Sequence, residues 1–310
     1  MADQDFYATQ SAITGPGPWA ERLDALPGDL RALKDATNQL DFDYRADGDW
    51  TEHGLAPERI TEIDTRYADR MFARIFELSD APLGASRRAN QRLVGCCRDF
   101  TVFFIALCRH KGIPARERVG FAAYFDPGWK VDHVVAEVWD ENERRWRLVD
   151  AELGDGFVDA TDGTTLDPLD LPRDRFLVGS EAWRMARAGE ADAARFVVAP
   201  DLDIPQTRGW PYLLHNLVHD LAAMNKEEMI LWDAWGLMDS DDPLTTAQLA
   251  MLDETARVMN APEPSVAELR RLYERDELRV PEVVTNYTSA VENPPVRVRL
   301  ASHTAARQAS

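Results

Sequence analysis

Apolar residues recur at three- and four-residue spacings over most of this chain, a pattern that predicts helices, and give way to β-branched and aromatic runs only near its middle. From Pro18 to about Leu40 the repeat runs through Leu23, Leu26, Leu30, Leu33 and Leu40, with a break at Pro27-Gly28. Between Ala56 and Leu78, Ile60, Ile63, Tyr67, Met71, Ile75 and Leu78 form one apolar face with Glu, Asp and Arg between them, the clearest amphipathic helix of the chain. A third helix follows Cys97, where Phe100, Phe103, Phe104, Leu107 and Cys108 define a buried face. It stops at Lys111-Gly112-Ile113-Pro114, because Gly112 accommodates a left-handed cap and Pro114 disfavours helical geometry in the residue before it.

The middle of the chain predicts strands. Ala115 to Phe125 leads to a turn at Asp126-Pro127-Gly128, and His133–Trp139 and Arg144–Asp150 read as two strands joined by Asp140-Glu141-Asn142-Glu143. A four-residue loop at those positions sets Trp139 opposite Arg144. Counting back pairs Glu137 with Trp146, Val135 with Leu148, and His133 with Asp150. Directly opposed residues share a face, with Cβ atoms about 4.5–5.5 Å apart.

Beyond Asp150 come turn formers and acids, expected as a rim loop, then a short helix over 176–188 bearing Trp183 and an irregular stretch over 189–205. Further helices are expected from Tyr212 to about Leu231, over 244–259 and over 265–275, followed from Val280 by β-like and proline-rich pieces and a polar tail. No repeat and no linker divides the sequence. One domain over 1–310 is therefore expected, with N-terminal helices over 18–90, a core over 91–155 and a mostly helical extension over 156–310.

Charge narrows the partners. With 54 acidic against 35 basic residues the formal net charge is −19, so the surface repels polyanions, and neither nucleic acid nor an acidic membrane is an expected partner. The first ten residues lack a basic region and an apolar run, and the longest apolar stretch, Val102–Cys108, is far short of a membrane span. Three cysteines, two of them adjacent, suggest no disulfide framework. A cytoplasmic protein is expected.

Residues 91–150 then supply candidate chemistry: a thiol, an imidazole and a carboxylate, in that order. Cys97 falls on the first turn of its helix, where unpaired N–H groups and the positive end of the helix dipole favour a thiolate. His133 and Asp150, paired across the expected hairpin, supply a base and the group that orients it.

The run Gly95-Cys96-Cys97-Arg98-Asp99-Phe100, the turn Gly112-Ile113-Pro114-Ala115-Arg116 with Gly120-Phe121 beyond it, Asp132-His133 followed by Glu137-Val138, and Trp146 with Val149-Asp150 together resemble the transglutaminase-like superfamily. The resemblance covers residues 91–150. It implies an α+β fold with a papain-like core, in which the central helix carrying the cysteine packs on an antiparallel sheet, and a stand-alone member of the bacterial type. It also implies that Cys97 is the nucleophile, His133 the base and Asp150 the orienting acid of a Cys-His-Asp triad.

Such a triad forms a thioester acyl-enzyme on a small-molecule, peptide or carrier-bound acyl substrate. The acceptor stays open. Water gives an amidase or peptidase, an amine an acyltransferase, and a substrate carbanion a Dieckmann-type cyclase of the tetramate and pyridone kind. A binding or scaffold protein on the same core is the non-enzymatic alternative. No cofactor and no metal is expected.

Several residues carry secondary expectations. Gln91 lies six positions before Cys97, the interval at which papain-like proteases place an oxyanion-hole glutamine. Cys96 is a wall residue of the site, an inert core thiol, or the nucleophile itself, and Cys108 is a small buried hydrophobe. Trp129, Trp232 and Trp235 are candidate walls of a substrate pocket, or else packed tryptophans. Arg98 with Asp99 is expected to seat the helix, and Arg116 to make a buried contact. His53 reads as a loop histidine. His215 and His219 stand at i and i+4, a spacing that can ligate a metal, but lack the companion residues of a zinc motif.

Overall fold

The computed structural model describes residues 3–288 and 294–301, so the polar tail from residue 302 lies outside the described residues. The architecture is α+β. The described residues gather into two compact units that interleave along the chain, the first from residues 1–117, 135–157 and 167–171 and the second from 118–134, 158–166 and 172–310.

The first unit is built on one buried helix. Its longer helices are α1 (Leu30–Thr37), started by an Asp29 side chain that accepts the Ala32 N–H, α2 (Ala68–Leu78), and α3 (Cys97–His110). Every residue of α3 from Cys97 to Arg109 is buried. A helix enclosed on all sides needs side chains that tolerate it, and the run of phenylalanines serves: Phe103 meets Phe72 of α2 edge-on at 5.1 Å. Strands β1 (Asp41–Asp43) and β2 (Leu93–Gly95) pair in parallel beside the start of α3. Neither strand is visible in the sequence, since three residues carry no period. The first residues of β3 (Ala115–Ala122) enter this unit, with residues 135–140 of β4 (Lys130–Asp140) and all of β5 (Arg145–Val149). Arg116 makes the buried contact expected of it, gripping Glu137 through two nitrogens, each 2.7 Å from Oε2. Its guanidinium also lies 4.1 Å from the Trp146 ring centre.

The amphipathic run over 56–78 is not one helix. It is a 3-10 segment, Pro57–Asp64, then extended backbone, then α2. The reason lies in α3. The buried Arg98 guanidinium donates to the carbonyls of Thr65 (3.4 Å) and Arg66 (2.7 Å), oxygens that an uninterrupted helix would spend on its own next turn. Ala68, which starts α2, gives its N–H to Ile13 instead.

The β4–β5 hairpin forms, but in a register displaced by two. Asp140 pairs with Arg145, Trp139 with Trp146, Glu137 with Leu148 and Ala136 with Val149, where the ladder ends. Asp140 closes the turn by accepting the N–H groups of Asn142 and Glu143 (2.8 and 2.9 Å), and Arg144 completes it at φ 52°. That left-handed position is one a glycine or asparagine would have announced. The expected pairing of His133 with Asp150 is therefore absent from the ladder. Asp150 lies just past its end, where its N–H is donated to the Pro168 carbonyl.

In the second unit β3 pairs antiparallel with β6 (Phe176–Val178), and Lys130 and Val131 of β4 pair in parallel with β7 (Phe196–Val197). Helices α4 (Gly179–Arg187), α5 (Gly209–Met224), α6 (Thr246–Met259) and α7 (Val266–Tyr273) pack around it. A small sheet in the order β10 (Val296–Arg299), β9 (Val283–Asn286), β8 (Asp233–Ala234) completes it. The expected helix over 176–188 gives its first three residues to a strand. That over 212–231 stops at Met224, two residues before Lys226 at φ 66°. α4 and α5 approach so closely that a Cβ at Gly179 would lie 2.3 Å from the Asn216 carbonyl oxygen. Among the described residues no helix is long and apolar enough to cross a membrane.

Candidate active site

α3 begins with reciprocal capping. Cys96 is the cap residue, its carbonyl accepting the Asp99 N–H at 2.8 Å while the Asp99 carboxylate accepts the Cys96 N–H at 3.0 Å. Cys97 is the first helical residue, at the end where backbone N–H groups lack intrahelical partners and the helix dipole is positive. The two adjacent thiols differ. A hydrogen bond with Cys97 draws Cys96 down, but burial and the Asp99 and Asp43 carboxylates outweigh it and push the Cys96 thiol up to about 12. At neutral pH Cys96 is a thiol, unfit as a nucleophile. Cys108 is fully enclosed, and burial pushes it higher still. Cys97 retains 9% exposure.

Buried acids surround this helix start. Asp41 of β1 is enclosed. Its Oδ1 accepts the Phe42 N–H at 2.9 Å, while its Oδ2 is buried with no hydrogen-bond partner. Burial, with Asp99 and Asp43 nearby, holds the Asp41 carboxyl well above the ordinary range. Asp99 is raised as well, burial outweighing its bond to Arg98. Arg98 Nη1 stands 3.0 Å from Asp99 Oδ1, which favours the ionised form of Asp99 over that of Asp41. Arg98 and Asp99 thus seat the helix as expected. Gly95 lies between the two carboxyl groups: a Cβ there would fall 2.6 Å from both Asp41 oxygens and 2.8 Å from Asp99 Oδ2.

The segment after β5 brings another acid to Cys97. Asp150 is enclosed, and its Oδ1 accepts the N–H groups of Glu152 (3.0 Å) and Leu153 (3.3 Å), which folds the chain over at once. That turn sets a Glu152 carboxylate oxygen within 4.8 Å of Cys97 Sγ. Burial, with Asp43, Asp150 and Asp47 around it, holds Glu152 well above the ordinary carboxylate range. The sequence reading passed over Glu152 as part of a rim loop. Its only signal was the hairpin register, which the left-handed Arg144 concealed.

His133 lies on β4 in the second unit, 3% exposed, with its ring edge-on to Phe125 at 4.9 Å, Tyr124 at 6.1 Å and Phe176 at 6.3 Å. The preceding residue is fastened to α5. Asp132 accepts the Tyr212 hydroxyl at 2.7 Å and the Asn216 amide at 2.8 Å, and Asn216 also donates to the Gly120 carbonyl. Burial raises Asp132 to about 6 despite those two donors. An aromatic-lined histidine on a strand pinned at its neighbour is a fixed imidazole.

The stretch that holds the thiol pair, the histidine and the acid also has relatives. Residues 74–151 match the transglutaminase-like superfamily. No curated protein matches the chain. Among solved structures, the crystal structure of a "putative cysteine protease" from Cytophaga hutchinsonii shares 18% identity over 57% of this chain and 46% of its own, at a TM-score of 0.33. A likeness that slight says nothing of this chain's chemistry.

The remaining candidates have ordinary structural partners. Gln91, six positions before Cys97, sits in a 3-10 turn where its Oε1 accepts the Arg88 N–H at 3.2 Å. Trp129 is half-buried, with the Arg195 guanidinium 4.9 Å from its ring centre. Trp235 is a core residue, 2% exposed, donating to the Leu278 carbonyl at 2.9 Å and lying beside His219. Trp232 is half-buried, its carbonyl accepting the Tyr287 N–H. The i, i+4 histidines stack at 4.2 Å, with His219 on the Asp233 carbonyl and His215 on Asn216. Burial lowers both, His215 to about 4, so they are neutral core residues.

Proposed function

We propose that this protein is a cysteine-dependent acyl-transfer enzyme that works through a thioester on Cys97. The supporting observation is the asymmetry of the thiol pair: Cys97 opens a buried helix, while Cys96 caps it and stays protonated. His133 takes the Cys97 proton, and Asp150 fixes the imidazole in the form that can do so, the roles carried over from the superfamily. The thiolate forms a C–S bond to the substrate carbonyl, and the carbonyl π pair moves onto oxygen. Collapse breaks the bond to the leaving group, which departs with the proton held by His133. The acceptor then loses a proton to His133, attacks the thioester and releases the thiolate.

The substrate is an acyl amide, ester or thioester, free or carrier-bound, and the acceptor decides between hydrolysis, transfer and cyclisation. Incubation with a panel of acyl thioesters and amides, followed by intact-mass measurement, tests the reading. An acyl adduct on Cys97 that disappears on adding water-competent or amine acceptors supports it. A chain whose three thiols are all equally inert is a scaffold instead.

A further inference from the structure

Glu152 is unused by the reaction above, yet the turn made by Asp150 sets its carboxyl group within 4.8 Å of Cys97 Sγ. Its backbone is fixed at both ends. The N–H is held by Asp150 Oδ1 at 3.0 Å, and the carbonyl accepts Asn38 Nδ2 at 3.1 Å, with Asn38 in turn held by Lys34 Nζ at 2.9 Å. We propose that Glu152 is a catalytic residue whose carboxyl group donates a hydrogen bond to the oxyanion formed when Cys97 adds to the substrate carbonyl.

The proposal rests on the acyl-enzyme reading and extends it. The oxyanion is bonded to the carbon that carries Sγ, so it forms beside the sulfur, and a donor must stand about 2.7–3.1 Å from it. A carboxyl oxygen within 4.8 Å of Sγ is near enough to reach an oxygen on the carbon that Sγ attacks. The donor must also hold a proton. Desolvation of the carboxyl group, and then the negative charge of Asp43, Asp150 and Asp47, hold Glu152 well above the ordinary carboxylate range and so favour its protonated form. A neutral acid beside the sulfur does not repel the thiolate, as an ionised one would. During addition no proton need leave Glu152: its O–H shortens toward the oxygen as charge develops, and relaxes when the leaving group departs with the proton from His133. Sequence spacing gave this part to the Gln91 amide N–H; the Gln91 Oε1 accepts the Arg88 N–H.

Glu152→Gln keeps a neutral donor, and Glu152→Met removes it at similar size. Acylation is followed by the p-nitrophenolate burst from p-nitrophenyl acetate and by intact mass, and alkylation of Cys97 by iodoacetamide serves as a reaction that forms no oxyanion. The expected result is acylation within about threefold of wild type for Glu152→Gln and at least about 100-fold slower for Glu152→Met, with wild-type alkylation in both. Wild-type acylation by Glu152→Met overturns the proposal. So does an equal loss in Glu152→Gln, which would mean that the ionised carboxylate is what acts, and so does slowed alkylation, which would place the effect on the thiol. If Glu152→Met does not fold, Glu152→Gln decides alone. A wild-type chain alkylated at Cys97 but never acylated there sinks the acyl-enzyme reading itself, and this proposal with it.

Discussion

Cys96 and Asp99 close the first turn of α3 on each other, the Cys96 carbonyl accepting one N–H and the Asp99 carboxylate the other, and Cys97 sits inside that clasp. The same contact that fixes the helix start also keeps Cys96 protonated, because it brings a carboxylate to the thiol. Two adjacent cysteines thereby acquire different chemistry.

Cys97→Ala should abolish formation of the acyl adduct, and Cys96→Ala should retain most of it. Iodoacetamide should label Cys97 first, at a pH below the ordinary thiol value of about 8.5. Peptide mapping of the labelled chain reads this directly. Equal loss in both variants, each folded, would move the nucleophile to Cys96.

Arg98 joins two segments, pairing with Asp99 on its own helix and capping the carbonyls of Thr65 and Arg66 with no exposure to solvent. Replacing it by leucine leaves Asp99 charged, buried and unpaired. The expected loss of stability is about 3–5 kcal/mol, read from the shift of a denaturant midpoint. Loss under about 1 kcal/mol would mean that Asp99 simply takes up a proton at little cost.

Gly95→Ala puts a methyl group between two buried carboxyl groups, 2.6 Å from the oxygens of Asp41. Overpacking of this kind costs about 1–3 kcal/mol. The double variant Gly95→Ala, Asp41→Ala should recover part of that loss, since one obstacle is gone. Strict additivity in a thermal-melt cycle would locate the strain elsewhere.

Glu227 gives the fold a pH dependence. Burial, and Glu228 beside it, raise Glu227 to about 8, and its charge in turn raises the nearby Tyr273. The folded chain therefore holds a proton that the unfolded chain releases. Stability from this group is full below the ordinary glutamate range, and is lost as pH rises toward about 8. Glu227→Gln should match wild type in melting temperature at pH near 5 and exceed it at pH above 8. A constant difference across that range would assign the effect to packing.

Tyr212→Phe removes one of the two donors that hold down Asp132. The Asp132 carboxyl, at about 6 in the intact protein, should then titrate higher, because a carboxylate that loses a donor binds its proton more tightly. Carbon-detected NMR of the carboxyl group reports it. An unchanged titration would show that Asn216 alone sets the value.

What could be read without coordinates was whatever repeats or punctuates. The α3 phenylalanines, Gly112 and Pro114 gave the buried helix and its end, with Cys97 at its start, because a 3.6-residue period and a cap are local properties. The strands over 130–140 and 145–149 were legible for the same reason, and so were α6 and α7, each of which opens on a side chain that accepts an N–H.

Tertiary structure decided the rest. Arg98 broke the 56–78 helix by drawing off its carbonyls, a competition between residues more than thirty positions apart that no local pattern records. Arg144 took a left-handed angle without a glycine to announce it, and so moved the hairpin register by two. That shift kept the faces of the strands, whose period is two, but changed which acid followed the ladder, and the Asp150 turn then carried Glu152 to the sulfur. Residue types and periods determined that a thiol, an imidazole and acids would be present on a helix and a hairpin. Their protonation depended on burial and neighbouring charge, which exist only once distant segments are packed together.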